Sequence, residues 1–212
     1  KAFMHIVLGA VIGARLGHVF FYDWEFYSNN LMEIPKIWRG GLASHGGAMG
    51  IIIALWLFSK NVSKKSILWI LDKVVVPTAL AGCFIRLGNL MNSEIIGSPT
   101  DVSWAFIFTR VDSIPRHPVQ LYESLTYLFS FALLFGLYWK SNAKEKPGFF
   151  FGLFLVLIFG FRILMENFKE SQGGFESALG NIMSTGQWLS IPFVLIGLFF
   201  VLRPTQHKIV FR

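Results

Sequence analysis

The chain has 212 residues, of which 54% are hydrophobic and only 15% are charged, and it carries a net charge of +7. Its mean hydropathy of +0.56 excludes an ordinary soluble domain and predicts a polytopic membrane protein. The positive charge does not indicate a nucleic-acid partner, because the lysines fall in short loops between apolar runs rather than in one basic stripe.

The ends and the cysteine content add little chemistry. The chain begins with Lys1 and lacks the tripartite pattern of a signal peptide, so we expect it to begin within a longer protein. Cys83 is the only cysteine, which excludes a disulfide within the chain and a paired-cysteine metal site.

Apolar runs long enough to cross roughly 30 Å of hydrocarbon as helix recur along the chain. We predict an all-α, polytopic membrane bundle with six transmembrane helices, at residues 3–22, 42–58, 66–91, 119–139, 149–165 and 183–202. Glycines four residues apart in the first two spans are typical of close helix packing, namely Gly9 with Gly13 and Gly46 with Gly50. No repeat or low-complexity linker divides the chain, so residues 1–212 are expected to form one membrane domain.

Basic residues are distributed unevenly between alternate loops. One set of loops and ends is almost purely basic, with Glu145 as its only acid; its cations are Lys60, Lys64, Lys65, Lys140, Lys144, Lys146, Arg203, Lys208 and Arg212. Since loops rich in lysine and arginine stay in the cytoplasm, the acid-containing segments 23–41, 92–118 and 167–182 are expected to face outward.

Polar side chains within the spans concentrate toward their outer ends. A charge at the centre of a membrane helix costs roughly 2.5–3.5 kcal/mol, so such residues usually face a cavity, a partner or a substrate. Asp72 and Lys73, near the cytoplasmic end of the third span, are interpreted as structural residues that extend toward water. The outer residues are the candidates for a site: Arg15, Arg86, Asn89, Asn92, Glu94, Gln120, Glu123, Arg162 and Glu166.

Arginines at this depth indicate an anionic ligand, because a guanidinium binds phosphate oxygens bidentately and stays charged when desolvated. A phospholipid headgroup is the obvious candidate. His45 precedes the second span and His117 lies in a proline-bracketed turn before the fourth, and either can take a proton from a nucleophile. The residues alone therefore predict a membrane-embedded site for a phosphate-bearing amphiphile and leave open which histidine, if either, is the base.

Six motifs follow one another between about residues 9 and 192. They are Gly13-Ala14-Arg15-Leu16-Gly17, Ser44-His45-Gly46-Gly47, Arg86-Leu87-Gly88-Asn89 with Asn92, Glu94 and Gly97, Arg116-His117-Pro118-Val119-Gln120-Leu121-Tyr122-Glu123, Phe161-Arg162 with Glu166, and Gly186-Gln187-Trp188-Leu189-Ser190-Ile191-Pro192. No single motif suffices, but in this order they resemble the prolipoprotein diacylglyceryl transferase family.

The resemblance implies a multi-pass enzyme of the bacterial inner membrane whose active site faces the outer leaflet. Its substrates would be phosphatidylglycerol from the bilayer and the signal peptide of a preprolipoprotein with its lipobox cysteine. The diacylglyceryl group would move to the cysteine thiol, forming a thioether and releasing glycerol 1-phosphate. The resemblance implies no metal and no cofactor.

Residue roles follow from the same resemblance. His45 would activate the peptide thiol, which reacts as thiolate, and Arg86 with Arg162 would hold the phosphate. Asn89 would fix the headgroup, while Glu94 and Glu166 would orient the arginines. The remaining substrate contacts are expected from Gly97, Arg15, Asn92, His117, Gln120 and Glu123. Cys83 is not the nucleophile, since the thiol belongs to the substrate.

The chain also departs from the family's pattern. The family's first helix, which carries an important tyrosine, has no counterpart among the 212 residues. Ser44 stands where an aromatic residue is common and Lys169 where an arginine is common, so contacts to the peptide are expected to differ. The outer stretch 98–115 is too short for a large extracytoplasmic head.

Two other classes of function compete with a transferase. An anionic-phospholipid transporter or flippase would use the same arginines to move a headgroup, but the halves of the chain lack the internal symmetry typical of transporters. A non-catalytic membrane scaffold would not need outer-leaflet arginines accompanied by acids.

Overall fold

The computed structural model of the chain describes residues 1–169 and 183–204, and the side chains of Ser44, His45 and Thr185 fall outside this description. Seven α-helices dominate these residues: α1 (Ala2–Phe21), α2 (Trp24–Asn29), α3 (Ser44–Leu57), α4 (Ile67–Asn92), α5 (Val119–Lys140), α6 (Phe149–Met165) and α7 (Thr185–Leu202). The predicted all-α membrane class is confirmed. Most of the predicted outward segment 167–182 lies outside the described residues.

The helices match the predicted spans closely. Within residues 1–169 and 183–204, five helical stretches are long and apolar enough to cross a membrane, including α1, α4 and α5. The second becomes long enough because a π-helix, Phe58–Ser63, continues α3, and the fifth because a 3₁₀ turn, Glu166–Phe168, continues α6. The sixth is apolar but shorter, because its described part covers only Gly186–Leu202.

Contacts divide the chain into two compact units, Lys1–Ile70 and Leu71–Arg212. That residues 1–212 form one membrane domain remains a prediction. In the first unit α1 packs on α3 through glycines. A Cβ atom on Gly9 would lie 2.6 Å from the Gly50 carbonyl oxygen, and one on Gly17 would lie 2.7 Å from the Gly46 Cα. The predicted close packing of small residues is confirmed, since side chains at these positions would force the helices apart.

The second unit has an apolar core made by α4, α5 and α6. Val75, Val76, Ala79, Leu134 and Phe150 are buried together there.

Asp72 joins two elements of this core. Its carboxylate accepts hydrogen bonds from the backbone N–H groups of Gly148, at 2.6 Å, and Phe151, at 2.9 Å. Asp72 is therefore buried at the N-terminus of α6 rather than extended toward water. A carboxylate suits this position because the first N–H groups of a helix lack partners within the helix.

A two-stranded antiparallel sheet lies between α4 and α5. Strand β1 (Phe106–Ile107) pairs with β2 (Pro115–Arg116) in the register Phe106 to Arg116. The sequence analysis did not predict this sheet, because strands of two residues leave no periodic pattern. Gly97 and Pro99 add isolated bridges, to Lys169 and Arg116 respectively.

Candidate active site

The C-terminal end of α4 is closed by a strained turn. Ser93 and Ile95 have positive φ angles of 57° and 54°, and this region is costly for a β-branched residue such as Ile95. The turn brings Glu94 back onto the helix. Its N–H donates to the Asn89 carbonyl at 2.9 Å, and its Oε2 accepts from Asn89 Nδ2 at 2.7 Å.

Arg86 points from α4 to the start of α5. Its Nε lies 2.9 Å from Glu123 Oε2, in a geometry that makes an ion pair rather than a hydrogen bond. Its Nη1 donates to Asn89 Oδ1 at 3.3 Å. Gln120, fully buried, donates from Nε2 to the Glu94 carbonyl at 2.7 Å, and its Oε1 has no hydrogen-bond partner among the described residues.

Lys169 extends this network to the end of α6. Its Nζ lies 2.8 Å from Glu123 Oε1 and 3.3 Å from Glu166 Oε2, and only 5% of the side chain is exposed. In the sequence, Lys169 is a departure from the family's pattern and is not predicted as a site residue. The motifs do not predict a site role for Lys169, because its partner Glu123 lies on another helix.

Arg162 lies in the last turn of α6, four residues before Glu166. Its Nε is buried and has no hydrogen-bond partner among the described residues. Glu166 pairs with Lys169, and its carboxylate also lies against Gly186, where an added Cβ would be 2.8 Å from Oε2. Gln187 ties α7 to this turn by donating to the Ile163 carbonyl at 3.0 Å.

Arg116 and His117 belong to the connection between α4 and α5, and they lie beside Gly97. Arg116 donates to the Gly97 carbonyl at 3.1 Å and to Asp112 Oδ2 at 2.6 Å. The hydrogen bond from Arg116 lowers the pKa of the Asp112 carboxyl below its usual range. The His117 carbonyl lies so close to Gly97 that a side chain at Gly97 would meet it.

The ring of His117 faces Tyr122. His117 Nδ1 is 3.3 Å from the Tyr122 hydroxyl, which accepts a hydrogen bond from Trp104 Nε1 at 2.8 Å. The ring also packs against Phe168 with the centroids 5.2 Å apart. This side chain is therefore held by aromatic neighbours and one hydroxyl.

In the first unit, Arg15 is 4% exposed, and its guanidinium donates hydrogen bonds to main-chain carbonyls. Nε donates to the Ile34 carbonyl at 2.7 Å, Nη1 to that of Gly40 at 2.6 Å, and Nη2 to that of Glu33 at 2.7 Å. The Tyr27 ring covers the cation at 4.9 Å. This arrangement fixes the 31–41 segment, and the substrate-binding role of Arg15 stays a prediction.

The structure joins some predicted site residues and not others. One network in the second unit contains Arg86, Asn89, Glu94, Gln120, Glu123 and Glu166, together with Lys169. Glu94 reaches Arg86 only through Asn89, and Glu166 pairs with Lys169 rather than with Arg162. Asn92 ends α4 with an exposed side chain. His45 is the second residue of α3, and its side chain lies outside the description.

The network contains two cations, Arg86 and Lys169, three acids, Glu94, Glu123 and Glu166, and several hydrogen-bond donors. Within the described residues no group of three or more histidine, cysteine or acidic side chains is arranged to hold a metal ion. Guanidinium and ammonium groups whose N–H donors are free, or are shared between partners, bind phosphate oxygens. The arrangement therefore suits an anionic group approaching Arg86 and Arg162.

Comparison with known proteins identifies relatives over nearly the whole chain. A relative from Tolumonas auensis, named phosphatidylglycerol–prolipoprotein diacylglyceryl transferase, is 50% identical over 208 residues, which cover 98% of this chain and 80% of the relative. Proteins of the same name from Chloroherpeton thalassium and Bacteroides fragilis are 49% and 48% identical, with 97% and 94% of this chain covered and 76% and 75% of the relatives.

The family model described as prolipoprotein diacylglyceryl transferase matches residues 1–203. This match includes all six motifs that carry the resemblance in the sequence. The chain belongs to the prolipoprotein diacylglyceryl transferase family.

Proposed function

We propose that this protein transfers the diacylglyceryl group of phosphatidylglycerol to the lipobox cysteine of a preprolipoprotein. The reaction takes place in the bacterial inner membrane, with the acceptor peptide entering from the outer side. The proposal rests on membership of the family and on the names of the relatives. It is supported by two arginines of the second unit, Arg86 on α4 and Arg162 on α6.

The buried Nε of Arg162 is the observation that carries the phosphate assignment. A buried donor that lacks a partner costs roughly 1–3 kcal/mol, and more when its group is charged, so an anionic ligand is favoured at that position. Arg86 adds a second guanidinium whose Nε and Nη1 are engaged by Glu123 and Asn89. Two guanidinium groups on α4 and α6 attract the singly charged phosphodiester and attract its more highly charged product more strongly.

The bond changes define what each residue must do. The cysteine sulfur forms a bond to the glyceryl carbon that carries the phosphate, and the bond between that carbon and the phosphate oxygen breaks. The electron pair leaves with that oxygen, so negative charge grows on the departing glycerol phosphate. Arg86 and Arg162 stabilise this charge, which is greater in the transition state than in the bound lipid.

The thiol proton needs an acceptor, because thiolate is the reactive form of cysteine. We assign this role to His45 on the basis of the family motif and the basicity of imidazole. His117 is the alternative; its Nδ1 already faces the Tyr122 hydroxyl at 3.3 Å. Gln120, Asn89 and Gly97 are assigned to the headgroup.

The test is a transfer assay with the full chain in vesicles that contain phosphatidylglycerol. A lipobox peptide should gain the mass of a diacylglyceryl group, while a peptide with serine in place of its cysteine should gain nothing. Glycerol 1-phosphate should appear in equal amount. Vesicles of phosphatidylcholine alone should give no adduct.

A chain that binds phosphatidylglycerol but leaves the peptide mass unchanged would contradict the transferase assignment. That result would favour the lipid transporter, which needs the same cations without the thiol. Movement of labelled phosphatidylglycerol between leaflets would then be the measurement to make.

A further inference from the structure

Lys169 lies between two carboxylates, each of which belongs to an element that also carries or faces an arginine. Its ammonium contacts Glu123 on α5 and Glu166 at the end of α6, at 2.8 and 3.3 Å, and both carboxylates are largely buried. Side-chain charges this close interact strongly when water is excluded, and salt screens them little. Lys169 is thus a cation shared by Glu123 and Glu166.

Each of these acids has an arginine within reach. Glu123 is already 2.9 Å from Arg86 Nε through its other oxygen. Glu166 follows Arg162 by four residues, which is one helical turn, yet it is Lys169 with which Glu166 pairs. Lysine suits this task because a compact ammonium with three donors can serve two carboxylates at once.

The Lys169 ammonium also restricts how Glu123 meets Arg86. One carboxylate oxygen faces Lys169 and the other faces Arg86, so the carboxylate plane is fixed from both sides. Glu123 then engages the Nε edge of Arg86 while Asn89 engages Nη1. Without the ammonium, two buried acids would depend on the arginines alone for charge compensation.

We propose that Lys169 is a positioning residue for transfer: it compensates Glu123 and Glu166 so that Arg86 and Arg162 stay available to the phosphate of the lipid. This inference rests on the proposed function. Lys169 acts through the two glutamates and the arginines and does not itself contact the reacting atoms. Its charge and its reach matter, whereas the backbone at this point is held independently of its side chain.

The main-chain contacts of this segment provide the structural control. The Lys169 N–H donates to the Glu166 carbonyl at 3.2 Å, and the Ser98 N–H donates to the Phe168 carbonyl at 2.9 Å. A substitution that changes only the Lys169 side chain leaves these bonds in place. Lys169→Met, which keeps most of the length and removes the charge, is the principal variant.

Lys169→Met is expected to lower kcat/KM for phosphatidylglycerol by roughly 10- to 100-fold, the effect of a small misplacement of binding groups. The KM for the lipobox peptide should not change. Lys169→Arg restores the charge and should recover most of the rate. Lys144→Met, at an exposed lysine outside the network, is the matched control and should behave as the unaltered protein.

Lys169→Met with undiminished kcat/KM would overturn the inference, as would Lys169→Arg that is as impaired as Lys169→Met. A rise in the KM for the peptide alone would also overturn it. If Lys169→Met does not fold, Lys169→Gln, which keeps a hydrogen-bond donor but no charge, is expected to show the same loss.

A second measurement separates this inference from the proposed function. Native mass spectrometry of the full chain in micelles gives the preference for phosphatidylglycerol over phosphatidylcholine. If the unaltered protein makes no adduct, the proposed transfer fails, but loss of this lipid preference in Lys169→Met and its return in Lys169→Arg would still support the positioning of the arginines. An unchanged preference in Lys169→Met would contradict it.

Discussion

Arginines that look alike in the sequence have different surroundings in the structure. Arg15 and Arg162 both lie in apolar helices, and the sequence analysis gave both to the substrate. The Arg15 guanidinium is saturated by the carbonyls of residues 33–41, whereas Arg162 keeps a buried Nε without a partner among the described residues. The sequence cannot distinguish these cases, because the carbonyls that satisfy Arg15 belong to a segment without a periodic pattern.

The sharpest test at the residue scale is Arg86→Ala. Transfer should fall by roughly 100- to 1,000-fold, the usual effect of removing a donor that stabilises transition-state charge. The fold should survive, because Glu123 keeps Lys169 as its counterion at 2.8 Å. The measurements are the initial rate of peptide modification and the thermal midpoint of unfolding in the same detergent.

Arg110→Ala is the matched control, since Arg110 is an exposed arginine of the connection between α4 and α5. It should retain both the rate and the thermal midpoint. Substantial turnover in Arg86→Ala would remove Arg86 from the phosphate role, and loss of folding there would show that Lys169 does not compensate Glu123.

At the scale of elements, helix positions were predictable and helix connections were not. Apolar runs determine α1, α4, α5 and α6, which are 17 to 26 residues long, and the glycine spacing predicts how α1 meets α3. The pairing of Phe106 with Arg116 and the contact of Lys169 with Glu123 join residues distant in the chain. Such contacts depend on tertiary packing, which local propensity does not encode.

Asp72 illustrates how a distant residue defines the start of a helix. The sequence suggests only a polar side chain near the start of α4, but its carboxylate caps α6 at Gly148 and Phe151. Asp72→Ala should therefore lower the free energy of unfolding by about 1–2 kcal/mol, the usual cost of losing a helix cap. Reversible unfolding in mixed micelles measures this change.

Asp101→Ala, at an exposed aspartate of the connection between α4 and α5, should leave the free energy of unfolding unchanged. If Asp72→Ala is equally stable, the cap does not support α6. Hydrogen exchange provides a second readout, because faster exchange should be confined to the first turn of α6.

For the whole molecule, the distribution of basic residues relates the fold to the membrane. Lys140 ends α5, Lys144 and Lys146 follow it, and Arg203 follows α7. The structure gives two of them a second use, since Lys146 donates to the Val201 carbonyl at 2.7 Å and Arg203 donates to the Pro147 carbonyl. Cations at helix C-termini are favourable in their own right, so the charge asymmetry requires a direct test of orientation.

Orientation is testable with single cysteines in a Cys83→Ala background, since Cys83 is buried and is the only cysteine. Asp101→Cys and Lys144→Cys place thiols at exposed positions on opposite sides of the predicted topology. A membrane-impermeant maleimide should label Asp101→Cys in intact spheroplasts and Lys144→Cys only after lysis, because basic loops remain in the cytoplasm. Labelling in the reverse order would place residues 92–118 in the cytoplasm, where a secreted peptide could not reach Arg86 from the outer side, and would contradict the proposed direction of transfer.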